Sequence, residues 1–516
     1  MNRIKHSFNN SAWGIANKIV HIVFPFFLRA VIIHELGVAY VGLNGLFKSI
    51  FSMLSLTELG FGHAVVYSLY RPIVEGDTVA IRQIMAYLQK VYRWVGLIMM
   101  SVGLLIVPFL RFFVKNDTGV DVNYYLLYGM YLFHAVMSYW MFAYENSLFT
   151  AHQRSDINYT ISFIISVSQY LLQIVVLIFT KNYYLYLAVY ALLVIPQNLI
   201  VHGFARHRYP DLYPEGQPTR DQISMMTGKI KSLIGHRLGN TFMYSIDSII
   251  ISSLLGVSIL ARYDNYNYIL TSIIGFLSVM RASMLASVGN KIVLDSKEDV
   301  YRLMNRLLFL WVGMLGFCTA CFASLFQPFI AVWLGEEFLF SEGLMLCISL
   351  YFFVWQFRAI QMMFKDAAGL WEADRWKPYI GMVANVGLSI LCVHLTQSPA
   401  GAMIPTMGII LFVYFPWEVR VLFKQFYQRS CRGYVLRVLW FSVAALVSAG
   451  GVYLLNRHLP VEGILGIICR AALCALMPVG YVILTCFGCE FRESVQIGRN
   501  ILNKILGKLK KRSVAS

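Results

Sequence analysis

Long apolar stretches recur along the whole chain, and this pattern restricts the fold more than any other feature. A helix needs about 20 mostly apolar residues to cross a bilayer. Only 13% of the 516 residues are charged and 58% are hydrophobic, whereas about a quarter of the residues in soluble domains are charged. Since so few charges cannot cover the surface of a soluble protein of this size, the sequence predicts an all-α integral membrane protein.

The apolar stretches predict about fourteen transmembrane helices. The predicted spans cover residues 11–34, 43–67, 92–112, 123–148, 158–180, 183–203, 233–256, 264–288, 307–333, 344–364, 379–396, 402–423, 438–456 and 463–487. Residues 204–232 form a long polar connection with three prolines, which is typical of a boundary between lobes. We therefore expect an N-lobe (1–203), a C-lobe (233–423), two extra helices (424–487) and a basic tail (488–516).

A faint internal repeat supports a division into two pseudo-symmetric six-helix lobes. Residues 35–40 read Glu-Leu-Gly-Val-Ala-Tyr after the first span, and residues 254–258 read Leu-Leu-Gly-Val-Ser after the first span of the C-lobe. Both precede a polar helix start that contains asparagine, at residues 43–45 and 264–267. Repeated halves are typical of transporters.

The formal net charge of +17 comes from alternate loops rather than from one basic face, so we expect no nucleic-acid partner. The loops between them hold few basic residues, namely Arg111, Lys115, Lys181, Arg262 and Arg457. Loops retained in the cytoplasm are enriched in Lys and Arg. The asymmetry predicts that both termini are cytoplasmic.

Cations inside the predicted spans indicate a binding site, because a charge within the bilayer is costly without a wet cavity or a partner. They concentrate in the opening spans of the two lobes, as Lys18, Arg29 and Lys48 in one and Arg237 and Arg281 in the other. Such helices would line a central positive cavity. Phosphate or pyrophosphate is the favoured ligand, since guanidinium groups match its oxygens.

Acidic residues in the same spans have two interpretations. Glu58 and Asp247 are either counter-ions of these cations or sites for a coupling proton or sodium ion. Some cations also have an alternative role, because a long side chain near a span end can reach the membrane surface. That alternative applies to Lys18, Arg237, Arg358 and Arg470.

No enzymatic signature is present in the sequence. It contains no Walker-type phosphate loop, no Asp-rich metal motif and no large exterior loop that could hold a sugar acceptor. The histidines are scattered and form no metal-binding constellation. We therefore expect a transporter that is not an enzyme, with no bound metal and no cofactor other than a coupling ion.

Several segments form a recognisable set of motifs, namely residues 43–47, 54–64, 67–73, 236–239, 245–252 and 286–290. The most specific of them is Glu58-Leu59-Gly60-Phe61-Gly62. These motifs resemble those of the polysaccharide-export flippases, which transport O-antigen and capsule repeat units. Members of that family often have Asp-Asn where this chain has Asp247-Ser248. The family belongs to a superfamily that also contains lipid II flippases and multidrug and toxin extruders.

The resemblance implies a V-shaped bundle that alternates between inward-open and outward-open states. The cargo would be an undecaprenyl-pyrophosphate-linked oligosaccharide, moved across the bacterial cytoplasmic membrane for surface polysaccharide synthesis. The partners would be this glycan, membrane lipids, and the glycosyltransferases and polymerase of the same route. The two extra helices would form a groove for the lipid tail, as in the lipid II branch.

These inferences give the candidate site residues. The pyrophosphate or acidic sugars would be bound by Arg29, Lys48, Arg237 and Arg281. Sugar hydroxyls would be bound by Tyr40, Asn44, Asn240 and Asn267. Three other functions stay open: a multidrug extruder of the same superfamily, a membrane polysaccharide polymerase or ligase, and a passive scramblase or assembly partner.

Overall fold

The structure is a computed structural model, and it is helical throughout the part of the chain that it describes. The described residues are 2–55, 61–115, 122–219, 223, 239, 241–243 and 245–485. They contain no β-strand, which confirms the predicted all-α class. The predicted basic tail, 488–516, lies outside these residues.

The helices are numbered in chain order. The first ten are α1 (Asn2–Glu35), α2 (Val38–Leu54), α3 (Phe61–Glu75), α4 (Thr78–Ile106), α5 (Leu110–Phe113), α6 (Tyr124–Trp140), α7 (Asn146–Ala151), α8 (Ser155–Thr180), α9 (Tyr183–Leu192) and α10 (Val194–Arg208). The others are α11 (Thr241–Leu255), α12 (Val257–Leu294), α13 (Lys297–Trp333), α14 (Glu342–Gln356), α15 (Ala359–Ala367), α16 (Lys377–Thr396), α17 (Ala400–Ile409), α18 (Phe415–Val421), α19 (Arg432–Arg457), α20 (Gly463–Cys474) and α21 (Met477–Leu484).

Eleven helical segments within the described ranges are long and apolar enough to cross a membrane, so the expected count of fourteen is not confirmed. The predicted span 43–67 is interrupted, because α2 ends at Leu54 and the next described helix begins at Phe61. The predicted span 123–148 is also broken, since α6 ends at Trp140 and Phe142 has a left-handed φ of 52°. Most of the predicted span 233–256 lies outside the described residues.

Polar side chains set several helix starts. Asn123 accepts hydrogen bonds from the backbone N–H groups of the first turn of α6, and Asn182 does the same for α9. These caps satisfy donors that have no partner within the helix. Because Asn182 caps α9 directly after α8 ends at Thr180, the connection is as short as the sequence predicted.

The internal repeat of the sequence also exists in the backbone. Gly37 has a φ of 108° and Gly256 a φ of 109°, a region that favours glycine. The N–H of Gly37 donates to the carbonyls of Ile32 and Ile33, and the N–H of Gly256 donates to those of Ile251 and Ser252. A new helix begins at the next residue in both places.

The chain forms two compact units that do not follow simple halves of the sequence. The first unit is Met1–Asn265 with Pro378–Ala402, and the second is Tyr266–Lys377 with Met403–Ser516. The boundary falls inside α12. The predicted lobes concern which helices move together during transport, and that division stays a prediction.

Candidate functional site

An ion pair in the first unit connects two helices that are far apart in the chain. Nη2 of Arg29 on α1 donates to Oδ2 of Asp264 on α12 at 2.6 Å. Nη1 of the same guanidinium donates to Oδ1 of Asn265 at 3.1 Å. The side chains of Arg29 and Asp264 are only 15% and 13% exposed. Burial at this level weakens solvent screening of the pair.

Two glycines allow α2 to approach this pair. A Cβ atom at Gly42 would lie 2.0 Å from the carbonyl oxygen of Val257, at the start of α12. A Cβ atom at Gly45 would lie 3.0 Å from Oδ2 of Asp264. The absence of side chains here lets the helices meet closely, as small residues do at membrane helix interfaces.

Lys48 follows Gly45 by one helical turn and lines a cavity of about 250 Å³ in the first unit. The cavity wall also includes Ser52, Ser55, His134 and Tyr139. Lys48 is exposed, and no carboxylate of a described residue forms an ion pair with it. The site therefore offers a free ammonium group beside several hydroxyl groups.

The charge of the cavity wall comes from Lys48. Lys48 is close enough to Arg29 and Asp264 to interact with both charges, and Arg29 is already paired with Asp264. A pocket of this size is smaller than the roughly 300–1,000 Å³ of typical ligand pockets. It can hold an anionic group and a few hydroxyls, but only a part of a large cargo.

Asn44 and Tyr40, two of the predicted sugar ligands, contact other helices in the first unit. Oδ1 of Asn44 accepts from the hydroxyl of Tyr131 at 2.6 Å, and its Nδ2 donates to the hydroxyl of Tyr186 at 3.3 Å. The carbonyl of Tyr40 accepts from the hydroxyl of Tyr183 at 3.3 Å. Asn44 thus joins α2 to α6 and α9, and the sugar-binding role of both residues stays a prediction.

The other predicted site residues that the structure describes are divided between the two units. Arg281 and Asn267 belong to the second unit and are half-buried on α12. Asp247 is buried on α11 in the first unit. The remaining predicted residues, Glu58, Arg237 and Asn240, lie outside the described residues.

Asp264 is a site residue that sequence reasoning missed. In the sequence, Asp264 lies in the polar helix start at residues 264–267, which follows the internal repeat. A usable signal was present, because an acidic residue within a predicted span needs a partner in the membrane. The identity of that partner, Arg29, could not be read from a position 235 residues away.

A buried charge network in the second unit was also missed. Nζ of Lys365 lies 2.6 Å from Oδ2 of Asp374, and Nζ of Lys377 lies 2.7 Å from the same oxygen. Lys377 also contacts Oε1 of Glu418 at 2.6 Å, and Arg358 contacts that oxygen at 2.5 Å. The five charged side chains form one continuous chain of ion pairs.

The network corrects one expectation. Arg358 does not reach the membrane surface, because it is 5% exposed and paired with Glu418. Lys365 and Lys377 are buried as well. Glu418 lies between two π-helical segments, Ile410–Tyr414 and Leu422–Tyr427. Such segments are rare and often occur at functional sites.

Comparisons with known proteins identify solved structures that have a similar fold. No protein-family model matches the chain, and no curated protein matches its sequence. A solved inward-facing multidrug resistance MATE family transporter of the MOP superfamily has a TM-score of 0.60 and 15% identity, covering 80% of this chain and 96% of its own. The lipid II flippase MurJ in an inward closed conformation has a TM-score of 0.60 and 12% identity, covering 93% and 98%.

A Vibrio cholerae MATE transporter is a further structural neighbour, with a TM-score of 0.53 and 16% identity, covering 83% of this chain and 99% of its own. All of these neighbours are transporters or flippases rather than enzymes. These likenesses show that the chain has the fold of these membrane proteins. Membership of the superfamily implied by the sequence motifs stays a prediction.

Proposed function

We propose that this chain is a flippase for undecaprenyl-pyrophosphate-linked oligosaccharide repeat units. It moves them from the inner to the outer leaflet of the bacterial cytoplasmic membrane for surface polysaccharide synthesis. The observation that carries this proposal is the unpaired ammonium of Lys48 in a hydroxyl-lined cavity, next to the Arg29–Asp264 pair. A cation kept without a counter-ion in a membrane protein is expensive unless it serves a ligand or a wet pathway.

The chemistry of the cavity suits a phosphorylated sugar. Lys48 supplies positive charge for a pyrophosphate oxygen, and Arg29 adds a guanidinium that can form charge-assisted hydrogen bonds. The hydroxyls of Ser52, Ser55 and Tyr139 can exchange hydrogen bonds with the first sugar. The remaining sugars and the lipid tail would extend beyond this small cavity.

The extent of the structural likeness favours a lipid-linked cargo. The likeness to MurJ covers 93% of the chain, against 80% for the MATE transporter. The difference is similar in length to the last two candidate spans, Arg432–Arg457 and Gly463–Leu484. An extra helical pair of this kind could form a groove for a polyprenyl tail.

In the proposed cycle, the chain works by ion-coupled alternating access with both termini in the cytoplasm. An arriving pyrophosphate competes with Asp264 for the guanidinium of Arg29, so binding loosens the link between α1 and α12. Glu58 and Asp247 are the proposed sites for a coupling proton or sodium ion. The glycosyltransferases that build the unit and the polymerase that consumes it would be the functional partners.

A multidrug extruder is the second candidate function. It is favoured by the TM-score of 0.60 to a multidrug resistance transporter, which equals that to MurJ. A cationic drug would require acidic groups in the binding cavity. The described cavity instead has Lys48 as its charged wall residue, with His134 beside it, so a cationic drug would be repelled there.

The decisive experiment measures lipid-linked repeat units by leaflet in a strain that lacks the gene. We expect complete units to accumulate facing the cytoplasm and to return outward when the wild-type gene is restored. Lys48→Gln should lower export about tenfold or more, since hydrogen bonds to charged groups contribute about 1.5–3 kcal/mol. Lys90→Gln is the matched control, because Lys90 is exposed on α4 and does not line the cavity.

Two outcomes would overturn the proposal. Units that reach the outer leaflet normally in the deletion strain would exclude flipping by this chain. A change in drug resistance without any change in lipid-linked sugars would establish the multidrug function instead.

A further inference from the structure

The second unit contains a cavity of about 680 Å³ that the proposed transport mechanism does not use. It lies among α13, α14, α19 and α20, and its lining residues all belong to the second unit. The volume is within the roughly 300–1,000 Å³ of typical ligand sites. The cavity is therefore large enough for a small amphipathic molecule or a lipid headgroup.

The position of the cavity corresponds to a membrane boundary. Four candidate spans end or begin beside it, with α13 ending at Trp333, α14 starting at Glu342, α19 ending at Arg457 and α20 starting at Gly463. Trp333 at the end of α13 is of the type that concentrates at the level of lipid headgroups. A ligand in this cavity would thus lie at headgroup depth.

Part of the cavity lining is apolar, namely Ala323, Pro328, Val332, Leu339 and Met345. This wall comes from the last turns of α13, the loop after it and the first turn of α14. It suits a glycerol backbone and the first methylene groups of acyl chains, which gain free energy by leaving water.

Another part of the lining is charged and carries more acids than bases. It contains Glu336, Glu342 and Glu462 together with Arg457 and Arg470. Glu342 is paired with Arg457 at 3.3 Å and also accepts from the hydroxyl of Tyr453. Glu336 and Glu462 are exposed and form no ion pair with any described residue. Two free carboxylates at the rim would attract an ammonium group.

The two arginines supply a complementary site for phosphate. Arg470 donates to the carbonyls of Val461 at 2.8 Å and Leu459 at 3.1 Å. These bonds engage two of the five N–H groups of a guanidinium, so three remain for another acceptor. Arg457 is more than half exposed and can turn towards a phosphate.

A buried amide provides an independent sign of a ligand. Asn456 lines the cavity and is 2% exposed. Its Nδ2 donates to Oγ of Ser324 at 2.9 Å, whereas its Oδ1 has no hydrogen-bond partner among the described residues. A buried acceptor left without a donor costs about 1–3 kcal/mol, so a ligand or water donor at this position would be stabilising.

We propose that this cavity binds a zwitterionic phospholipid with a primary ammonium headgroup, the chemistry of phosphatidylethanolamine. The ammonium donates hydrogen bonds to Glu336 and Glu462 and directs its third N–H towards Oδ1 of Asn456, while the phosphate lies near Arg457 and Arg470. A quaternary choline group has no N–H to donate, and an anionic glycerol headgroup meets a rim with excess negative charge. The site therefore distinguishes among lipid headgroups.

Binding would link α20 to α13 and α14 through a single lipid, and so stabilise the second unit. Ligands that bind only the folded state raise its stability by mass action. This role is independent of the cargo, since the cavity shares no residue with the one that contains Lys48. A failure of the lipid test would leave the flippase proposal untouched, and the reverse is also true.

The test is native mass spectrometry of the purified full-length protein, titrated separately with phosphatidylethanolamine, phosphatidylcholine and phosphatidylglycerol. We expect phosphatidylethanolamine to bind most tightly. The double variant Glu336→Gln/Glu462→Gln should reduce its preference over phosphatidylcholine roughly three- to tenfold, the range for exposed charge contacts. Glu337→Gln is the matched control, because Glu337 is an equally exposed neighbour that does not line the cavity.

The same titrations can overturn the proposal. Equal binding of phosphatidylethanolamine and phosphatidylcholine by the wild-type protein would exclude headgroup selection. So would an unchanged preference in the double variant, provided that its thermal unfolding matches that of the wild type. Preferential binding of an undecaprenyl-linked pyrophosphate at these residues would identify the cavity as a cargo site instead.

Discussion

Arg29 and Asp264 are separated by 235 positions in the chain, yet their side chains form an ion pair of 2.6 Å within the first unit. The pair joins α1 to the start of α12, and the close approach of α2 at Gly45 encloses it. Lys48 lies one turn further along α2, at the wall of the small cavity. The ion pair is therefore both a structural link and the neighbour of the proposed phosphate site.

Breaking this pair should destabilise the protein. Arg29→Gln would leave Asp264 without its ion-pair partner, and the loss should approach the about 3–5 kcal/mol measured for buried pairs. We expect a lower midpoint of thermal unfolding in detergent for Arg29→Gln and for Asp264→Asn. The double variant Arg29→Gln/Asp264→Asn should lose less stability than the sum of the two single losses, as a double-mutant cycle would show. Strictly additive effects would mean that the two side chains do not couple.

The close contact between α2 and α12 makes a second prediction. Gly42→Ala would place a methyl group 2.0 Å from the carbonyl oxygen of Val257, and overpacking of this kind costs about 1–3 kcal/mol. Gly129→Ala is the control, because a Cβ atom there meets nothing within 4 Å on α6. We expect thermal unfolding to shift down for Gly42→Ala and to stay unchanged or rise for Gly129→Ala. Equal behaviour of the two variants would contradict the packing described here.

The buried network in the second unit makes a third prediction. Glu418→Gln would leave Arg358 without its carboxylate and Lys377 with Asp374 alone. Loss of one partner from a buried ion pair typically costs about 3–5 kcal/mol. Asp295→Asn is the control, since the Lys291–Asp295 pair is partly exposed at the end of α12 and such pairs contribute about 0–1 kcal/mol. Denaturant or thermal unfolding that ranks the two variants alike would show that the network does not stabilise the second unit.

Orientation in the membrane supplies a fourth prediction. In a variant with the nine native cysteines replaced, Lys181→Cys should react with a membrane-impermeant maleimide in intact cells. Lys297→Cys should react only after permeabilisation, because it lies at the start of α13, on the side of the membrane predicted to be cytoplasmic. The reverse pattern would invert the proposed topology, and with it the direction of transport.

Most of the fold class could be predicted from local features. The short connection between α8 and α9 and the repeated Leu-Gly-Val at Gly37 and Gly256 are both present in the structure. Span boundaries were less predictable where a helix stops within an apolar stretch. The break after α6 is an example, because it depends on the left-handed backbone at Phe142. No proline or glycine marks this position in the sequence.

The environment of the candidate site residues could also be predicted only in part. Arg29 and Lys48 were recognisable because a cation in a predicted span needs compensation. The sequence did not reveal how each charge is accommodated, because Arg29 has a partner on α12 whereas Lys48 faces a cavity. Asn44 was predicted as a sugar ligand from its residue type alone, and its contacts with Tyr131 and Tyr186 depend on three helices meeting.

The all-α membrane class follows from the amino-acid sequence alone, because apolar length and scarcity of charge are local properties that only a lipid environment satisfies. The sequence also indicates that certain cations need a compensating environment. Which acid meets which base, in the Arg29–Asp264 pair and around Glu418, depends on the three-dimensional fold. An ion pair requires two particular helices to be neighbours, and long-range packing establishes that arrangement.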